Sequence, residues 1–221
     1  MGLNQSQNLT ISDLLKNNQA IYQVPDDRLY TIEDLLYNHQ KFISLFIEDK
    51  DQNKIKFALP NLMVALAWYL ALANRYHIDL ESSLWKRYSY KCPFCMEIPC
   101  MCDEKETLKA QKTGRPSSRK PESIAEWQKM IEKIYPLENI DNPIFKIHMH
   151  LDRLNSAFRL FMREKKKKQF HSIENEIVDY FVILVRIFNY YHFDIEKEYI
   201  KMFSNGCYVC HQIPCECNYY E

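Results

Sequence analysis

Glycine is nearly missing from this chain: Gly2, Gly114 and Gly206 are all it has in 221 residues. Hairpin-rich β folds need positive φ at their turns, which glycine supplies without steric cost, so the shortage points to an all-α fold. Net charge is missing too. With 29 basic and 29 acidic residues there is no global field of the kind that draws a protein to nucleic acid or a membrane surface. No charged-then-apolar signal peptide opens the sequence, and the longest apolar run, Leu62 to Ala73, is 12 residues where a bilayer span needs about 20. A cytoplasmic protein with no membrane span is the expectation. Apolar residues make up 47% of the chain, enough for one large core or two small ones.

Cysteine is absent everywhere except in two places, where it is concentrated. CPFCMEIPCMC runs from Cys92 to Cys102 and CYVCHQIPCEC from Cys207 to Cys217, 115 positions apart, and together they use all eight cysteines. Each is a C-x2-C-x4-C-x-C cluster with Ile-Pro before its third cysteine. Four soft thiolates on one short loop suit tetrahedral Zn²⁺. A disulfide framework goes with small secreted domains, and the Pro-Cys-x-Cys ending does not match the usual iron-sulfur spacings. Two structural zinc sites are therefore expected, one on Cys92, Cys95, Cys100 and Cys102, the other on Cys207, Cys210, Cys215 and Cys217. With four protein ligands neither metal has an open position for catalysis.

The repeat extends upstream. NRYHIDLESSLWKRYS (Asn74 to Ser89) faces NYYHFDIEKEYIKMFS (Asn189 to Ser204) at the same offset, and Leu45-Phe46 faces Leu160-Phe161. Nearer the start the offset slips by two, pairing Thr10-Ile11 with Ser123-Ile124 and Ile21-Tyr22 with Ile134-Tyr135. The chain reads as a tandem duplication. A flexible N-terminal arm (1–9) precedes repeat 1 (10–102), a linker (103–122) rich in Pro, Ser and charge follows, and repeat 2 (123–221) ends in the second cysteine cluster.

Helical periodicity places four helices in each repeat. In repeat 1 they lie near Ile11 to Tyr22, Ile32 to Glu48, Asn61 to Tyr76 and Leu80 to Tyr88. In repeat 2 the first opens on the capping-box spacing Ser123 to Glu126 and ends near Tyr135-Pro136. The second runs from Ile144 to Lys165 with Leu151, Leu154, Phe158 and Phe161 on one face, the third from Ile173 to Tyr191, and a short fourth follows Asp194, an N-cap candidate. The third helix of repeat 1 is apolar all round. It needs partners on every side, which leads to the expectation that the two repeats pack through their third helices as an intramolecular pseudo-dimer.

With LAWYLALANRYHIDLE at the end of a helix, then a short helix and a CPxC...PCxC tail, the sequence resembles the zinc-tailed branch of the MazG-like nucleotide pyrophosphohydrolases, over nearly the whole chain and twice. The resemblance implies an all-α fold whose helical units dimerise. It also implies Mg²⁺-dependent cleavage of nucleoside triphosphates to monophosphate and pyrophosphate, on an E-E-x-x-E motif of the second helix and an E-x-x-D motif of the third. Carboxylates three apart share a helix face, so two facing helices can collect the oxygen ligands that Mg²⁺ prefers.

Laid on those motifs, this chain has lost most of the carboxylates. Repeat 1 carries Tyr37, Asn38 and Lys41, then Asn61 and Val64. Repeat 2 carries Asp152, Arg153 and Ser156, then Glu176 and Asp179, so Asp152, Glu176 and Asp179 are the candidate Mg²⁺ ligands. Acids near a helix N-terminus also suit the macrodipole without any ligand. His77 and His192, at matching positions, read as packing or capping residues, and His211 stands beside four thiolates that already suffice. The run Arg163 to Lys168 reads as the cationic end of the second helix, or as a patch for phosphate or a partner. Abundant Tyr and Phe fill a bundle core, and those left outside suit a subunit of a larger assembly.

Two functional classes follow. One is a pseudoenzyme that keeps the scaffold, and with it a nucleotide pocket or a protein-interaction surface. The other is an active nucleoside triphosphate pyrophosphohydrolase with one remodelled site in repeat 2. Nucleic-acid binding trails because the net charge is zero.

Overall fold

The computed structural model describes residues 8–102, 119–137 and 143–217, and among these it holds eight α-helices and no strand. The N-terminal arm up to residue 7 and linker positions 103–118 lie outside the described residues. The helices are α1 (Ile11–Leu29), α2 (Ile32–Asp51), α3 (Ile55–Arg75), α4 (Leu80–Tyr88), α5 (Ile124–Ile134), α6 (Pro143–Glu164), α7 (Lys167–Tyr190) and α8 (Ile195–Phe203).

Local chemistry sets their starts. Thr10 and Thr31 open α1 and α2 as full capping boxes with Asp13 and Asp34, Asp79 caps α4 by accepting from the Ser82 N–H, and Ser123 caps α5 through the Glu126 N–H. The ends of α3 and α7 are matched. His77 and His192 both take positive φ (52° and 56°). Their N–H groups donate to Asn74 and Asn189, and the next N–H groups, of Ile78 and Phe193, reach back to Ala73 and Phe188. These are Schellman turns with histidine in the left-handed position that glycine usually fills. The two histidines are capping residues.

Two helices run through a proline, beyond the bounds that periodicity suggests. α1 continues past Tyr22 with Pro25 inside it, and α3 begins at Ile55, ahead of Pro60. Each proline removes one ladder hydrogen bond, and neither ends its helix. The lysine run requires a correction: α6 stops at Glu164, Lys165 turns with φ of 51°, and α7 starts at Lys167. The lysines thus form the α6–α7 turn and the first turn of α7, where cations oppose the helix dipole. Burial of Ile173, Ile177 and the residues beyond them holds α7 in place instead.

The described chain divides into two compact units, and these are cut differently from the repeats. Unit 1 is Met1–Ile78 with Ile195–Glu221, and unit 2 is Asp79–Asp194. The first three helices of repeat 1 are completed by α8 and the second cysteine loop. The last three helices of unit 2, α5 to α7, are completed by α4 and the first cysteine loop. Each repeat therefore gives its fourth helix and its cysteines to the unit built on the other repeat.

Specific bonds seal each exchange. In unit 1 the Tyr199 hydroxyl donates to the Leu14 carbonyl at 3.1 Å, Asn17 Nδ2 donates to the Phe203 carbonyl at 3.3 Å, and the Cys215 N–H donates to the Ile21 carbonyl at 2.7 Å. In unit 2 Trp85 meets Trp127 edge-on at 6.2 Å, Ser83 donates to Glu174 at 2.6 Å, and the Cys100 N–H donates to the Ile134 carbonyl at 2.8 Å. Ile21 and Ile134 are the paired residues of the repeat, as are Cys215 and Cys100. α3 is long and apolar enough to cross a membrane, yet Leu62, Met63, Leu66, Tyr69, Leu70 and Leu72 are each at most 1% exposed, as in a core helix.

Candidate functional site

The two cysteine loops are built alike. Cys92 N–H donates to the Glu97 carbonyl and Met96 N–H to the Cys92 carbonyl. Cys207 with Gln212, and His211 with Cys207, repeat the pattern, all between 2.8 and 3.2 Å. Met96 and His211 both carry positive φ, and both loops pass through a cis Ile-Pro bond. This winding turns four sulfurs inward: Cys92–Cys102, Cys95–Cys100 and Cys92–Cys100 stand 3.6, 3.9 and 3.4 Å apart, and Cys207–Cys217 and Cys210–Cys215 3.7 and 3.8 Å. A tetrahedron with metal–sulfur bonds of about 2.3 Å has edges of about 3.8 Å. All eight cysteines are free thiols, so each tetrad could hold a metal ion such as zinc.

Around the sulfurs lies a partner set that spacing alone did not mark. Tyr135 at the end of α5 donates its hydroxyl to Cys92 Sγ at 3.6 Å, and Tyr22, its counterpart on α1, makes the same kind of bond to Cys207. Backbone N–H groups of Met101 and Glu216 point at Cys95 and Cys210 at 3.4 Å. The Cys92 thiol is pulled down to about 4, first by its hydrogen bond with Cys100, which favours the thiolate a metal needs. Unit 2 adds a cation: Arg186, 8% exposed, lies over the Tyr135 ring at 4.5 Å, and burial lowers its pKa against the opposing pull of Tyr135, Tyr88, Cys100 and Cys92. Ala71 takes that place in unit 1.

The candidate Mg²⁺ ligands are in a different condition. Asp179 is 5% exposed, and both its oxygens are engaged: Arg87 Nε donates to Oδ1 at 2.5 Å and Arg87 Nη2 to Oδ2 at 2.7 Å, while the Tyr88 hydroxyl donates to Oδ1 at 2.8 Å. Burial works against the Arg87 charge, but the Asp179 bonds outweigh it and hold the guanidinium above its ordinary range. Glu176, half-buried one turn earlier on α7, is raised by burial and then by the Asp179 charge. Asp152 on α6 is exposed. Among the described residues only the two cysteine tetrads bring three or more acidic, histidine or cysteine ligand atoms within 4.8 Å of one another, so Asp152, Glu176 and Asp179 are not gathered into such a cluster.

The face of α6 toward these acids is basic, with Lys146, His150 and Arg153 at helical spacing. His150 is lowered to about 4, chiefly by burial, with Arg153, Arg186 and Lys146 adding to the shift, so it is neutral at physiological pH. In repeat 1 the motif positions hold other contacts: Asn61 donates to Asp49 at 2.8 Å, and Tyr37 and Lys41 are exposed. Fully buried His39 donates from Nδ1 to the Ala65 carbonyl at 2.8 Å and is lowered to about 4 by burial, a neutral core histidine. His211 lies outside the second tetrad, which four cysteines complete.

No family model, curated protein or solved structure matches this chain.

Proposed function

We propose that this is a catalytically degenerate MazG-like protein, with a zinc ion in each tetrad, that serves as a nucleotide-sensing or protein-interaction subunit of a larger assembly. On this reading the single duplicated chain stands in for the family's dimer. The observation that carries it is the Arg87–Asp179 pair. A guanidinium sits on the carboxylate that would otherwise meet a divalent cation, and charge-assisted bidentate pairing of this kind uses both oxygens. Glu176 and exposed Asp152 are then too few and too dispersed for an ion that wants near-octahedral oxygen coordination. Exposed Tyr37 and Phe57, at 66% and 58%, support the interaction half of the proposal.

The test is pyrophosphate release over a panel of nucleoside and deoxynucleoside triphosphates with Mg²⁺ or Mn²⁺. No turnover is expected. Turnover abolished by Glu176→Gln would instead establish the alternative, a pyrophosphohydrolase with one remodelled site in unit 2. A nucleotide-specific rise in melting temperature separates a sensor from an interaction scaffold, because only a ligand that binds the folded state stabilises it.

A further inference from the structure

A second site lies in unit 1, away from every motif position discussed above. Between α1 and the end of α3 is a cavity of about 120 Å³ with Asp26 in its wall. Asp26 is 6% exposed, and its carboxylate accepts no hydrogen bond from the protein. Nearby polar groups are spoken for. Asn18 and Asn74 donate to the Ala67 and Leu15 carbonyls, and Arg75 is bound to Asp27 Oδ1 at 3.0 Å and to the backbone carbonyls of Asp26 and Tyr30. At the mouth stand the exposed amides of Gln19 and Gln23. Two carboxylates thus face one guanidinium, leaving the cavity one positive charge short.

We infer that this cavity is a binding site for a guanidinium group, seated on the Asp26 carboxylate with the Gln19 and Gln23 carbonyls as further acceptors. What is missing is a donor, because a buried carboxylate with no partner is strongly disfavoured. A divalent metal does not fit: no cluster of three acidic, histidine or cysteine ligand atoms occurs here. A purine does not fit either, since the volume is below the roughly 150 Å³ that encloses a single benzene ring. A guanidinium is flat, permanently charged, and forks its N–H groups onto a carboxylate. The chemistry has two sources, a free guanidino compound or an arginine side chain offered by a protein partner. Burial raises Asp26 to about 7 against the pull of Arg75, so pairing at neutral pH should expel a proton. The other charged or titratable groups lining the cavity are Asp27, Arg75 and His77.

The whole, metal-loaded chain is titrated calorimetrically with agmatine, with L-lysine as control and with a short arginine-containing peptide, at pH 7 in two buffers of different ionisation enthalpy. Expected are saturable binding of agmatine or of the peptide, at least 10-fold weaker binding of lysine, a buffer-dependent heat that reports proton release, and at least a 10-fold loss in Asp26→Asn. Agmatine binding identifies a small-molecule site; binding of the peptide alone identifies a partner's arginine. Asp26→Asn removes a buried charge and should fold, and Gln23→Leu, at an exposed mouth position, gives a second variant that should weaken binding without affecting the core. No binding in either arm, lysine binding as well as agmatine, or unchanged binding in Asp26→Asn overturns the inference. Because unit 1 keeps none of the carboxylate motif, this result is independent of whether unit 2 turns over a nucleotide.

Discussion

Units 1 and 2 have the same helices, the same Schellman turns and the same cysteine loops, but where unit 2 places Asp179, Arg87 and Tyr88, the equivalent residues of unit 1 are Val64, Met202 and Phe203. In both cases the residues come from different repeats and fall in one unit only because the fourth helices are exchanged. Charge accompanies charge in unit 2, and apolar residues accompany each other in unit 1. Removing one member of such a pair leaves the other charge uncompensated, so the two positions are expected to change together. The same contrast recurs beside the cysteines, where Arg186 lies over Tyr135 in unit 2 and the equivalent position of unit 1 is Ala71. Unit 2 pairs its buried acid with arginine, while unit 1 carries no charge at the equivalent positions.

The largest expected effect comes from the metal. Cys92→Ser should leave one zinc per chain by metal analysis and strongly destabilise unit 2, since apparent binding free energies of structural zinc, of order 10 kcal/mol, are also folding free energies. Cys207→Ser should do the same to unit 1.

Next is the buried pair. Asp179→Ala leaves Arg87 uncompensated and should cost about 3–5 kcal/mol in denaturant unfolding. The double change Arg87→Met with Asp179→Val, which writes the unit 1 residues into unit 2, should recover most of that loss. If the double variant is as unstable as the single one, the two units do not differ by a simple exchange of charge for hydrocarbon.

Smaller is the hydroxyl beside each tetrad. Tyr135→Phe and Tyr22→Phe should each weaken one metal site by about 10–100-fold in chelator competition, the usual range for such outer partners. The deficit should be milder in unit 2, where Arg186 still offsets the thiolate charge.

The last concerns pH. Asp26 rises from 3.8 to about 7 on folding, so the folded state holds its proton more firmly. The associated stability is full below about pH 4 and is lost as pH rises through 7, by on the order of 4 kcal/mol. Asp26→Asn should therefore gain on the native protein as pH increases through that window, read as a widening difference in melting temperature.

Much of the fold was legible in the sequence. Glycine scarcity favoured helices over hairpin-rich sheets, helical periodicity found the eight helices of the described residues, and the cysteine spacing found both tetrads. Helix bounds near proline were not legible, the end of α1 past Pro25 and the start of α3 ahead of Pro60, because a proline looks like a boundary and burial of the flanking residues overrides it. The exchange of fourth helices was not legible either. An amphipathic helix such as Leu80–Tyr88 shows which face is apolar but not which bundle that face covers, and in a duplicated chain both answers satisfy the pattern equally. The Arg87–Asp179 pair did leave a signal: Arg against Met202 and Asp against Val64 are the matched departures between two otherwise parallel repeats. Asp26 left none, since its environment depends on the packing of α1 against α3.

The most direct test of the exchange is hydrogen–deuterium exchange by mass spectrometry on Cys92→Ser. In the exchanged fold the first cysteine loop closes onto α5 through the Cys100 N–H and the Ile134 carbonyl, so exchange should accelerate in Ile124–Ile134 and in α7 while Ile11–Leu29 stays protected. Acceleration in Ile11–Leu29 with α5 still protected would mean that each cysteine loop belongs to its own repeat, and would contradict the exchange.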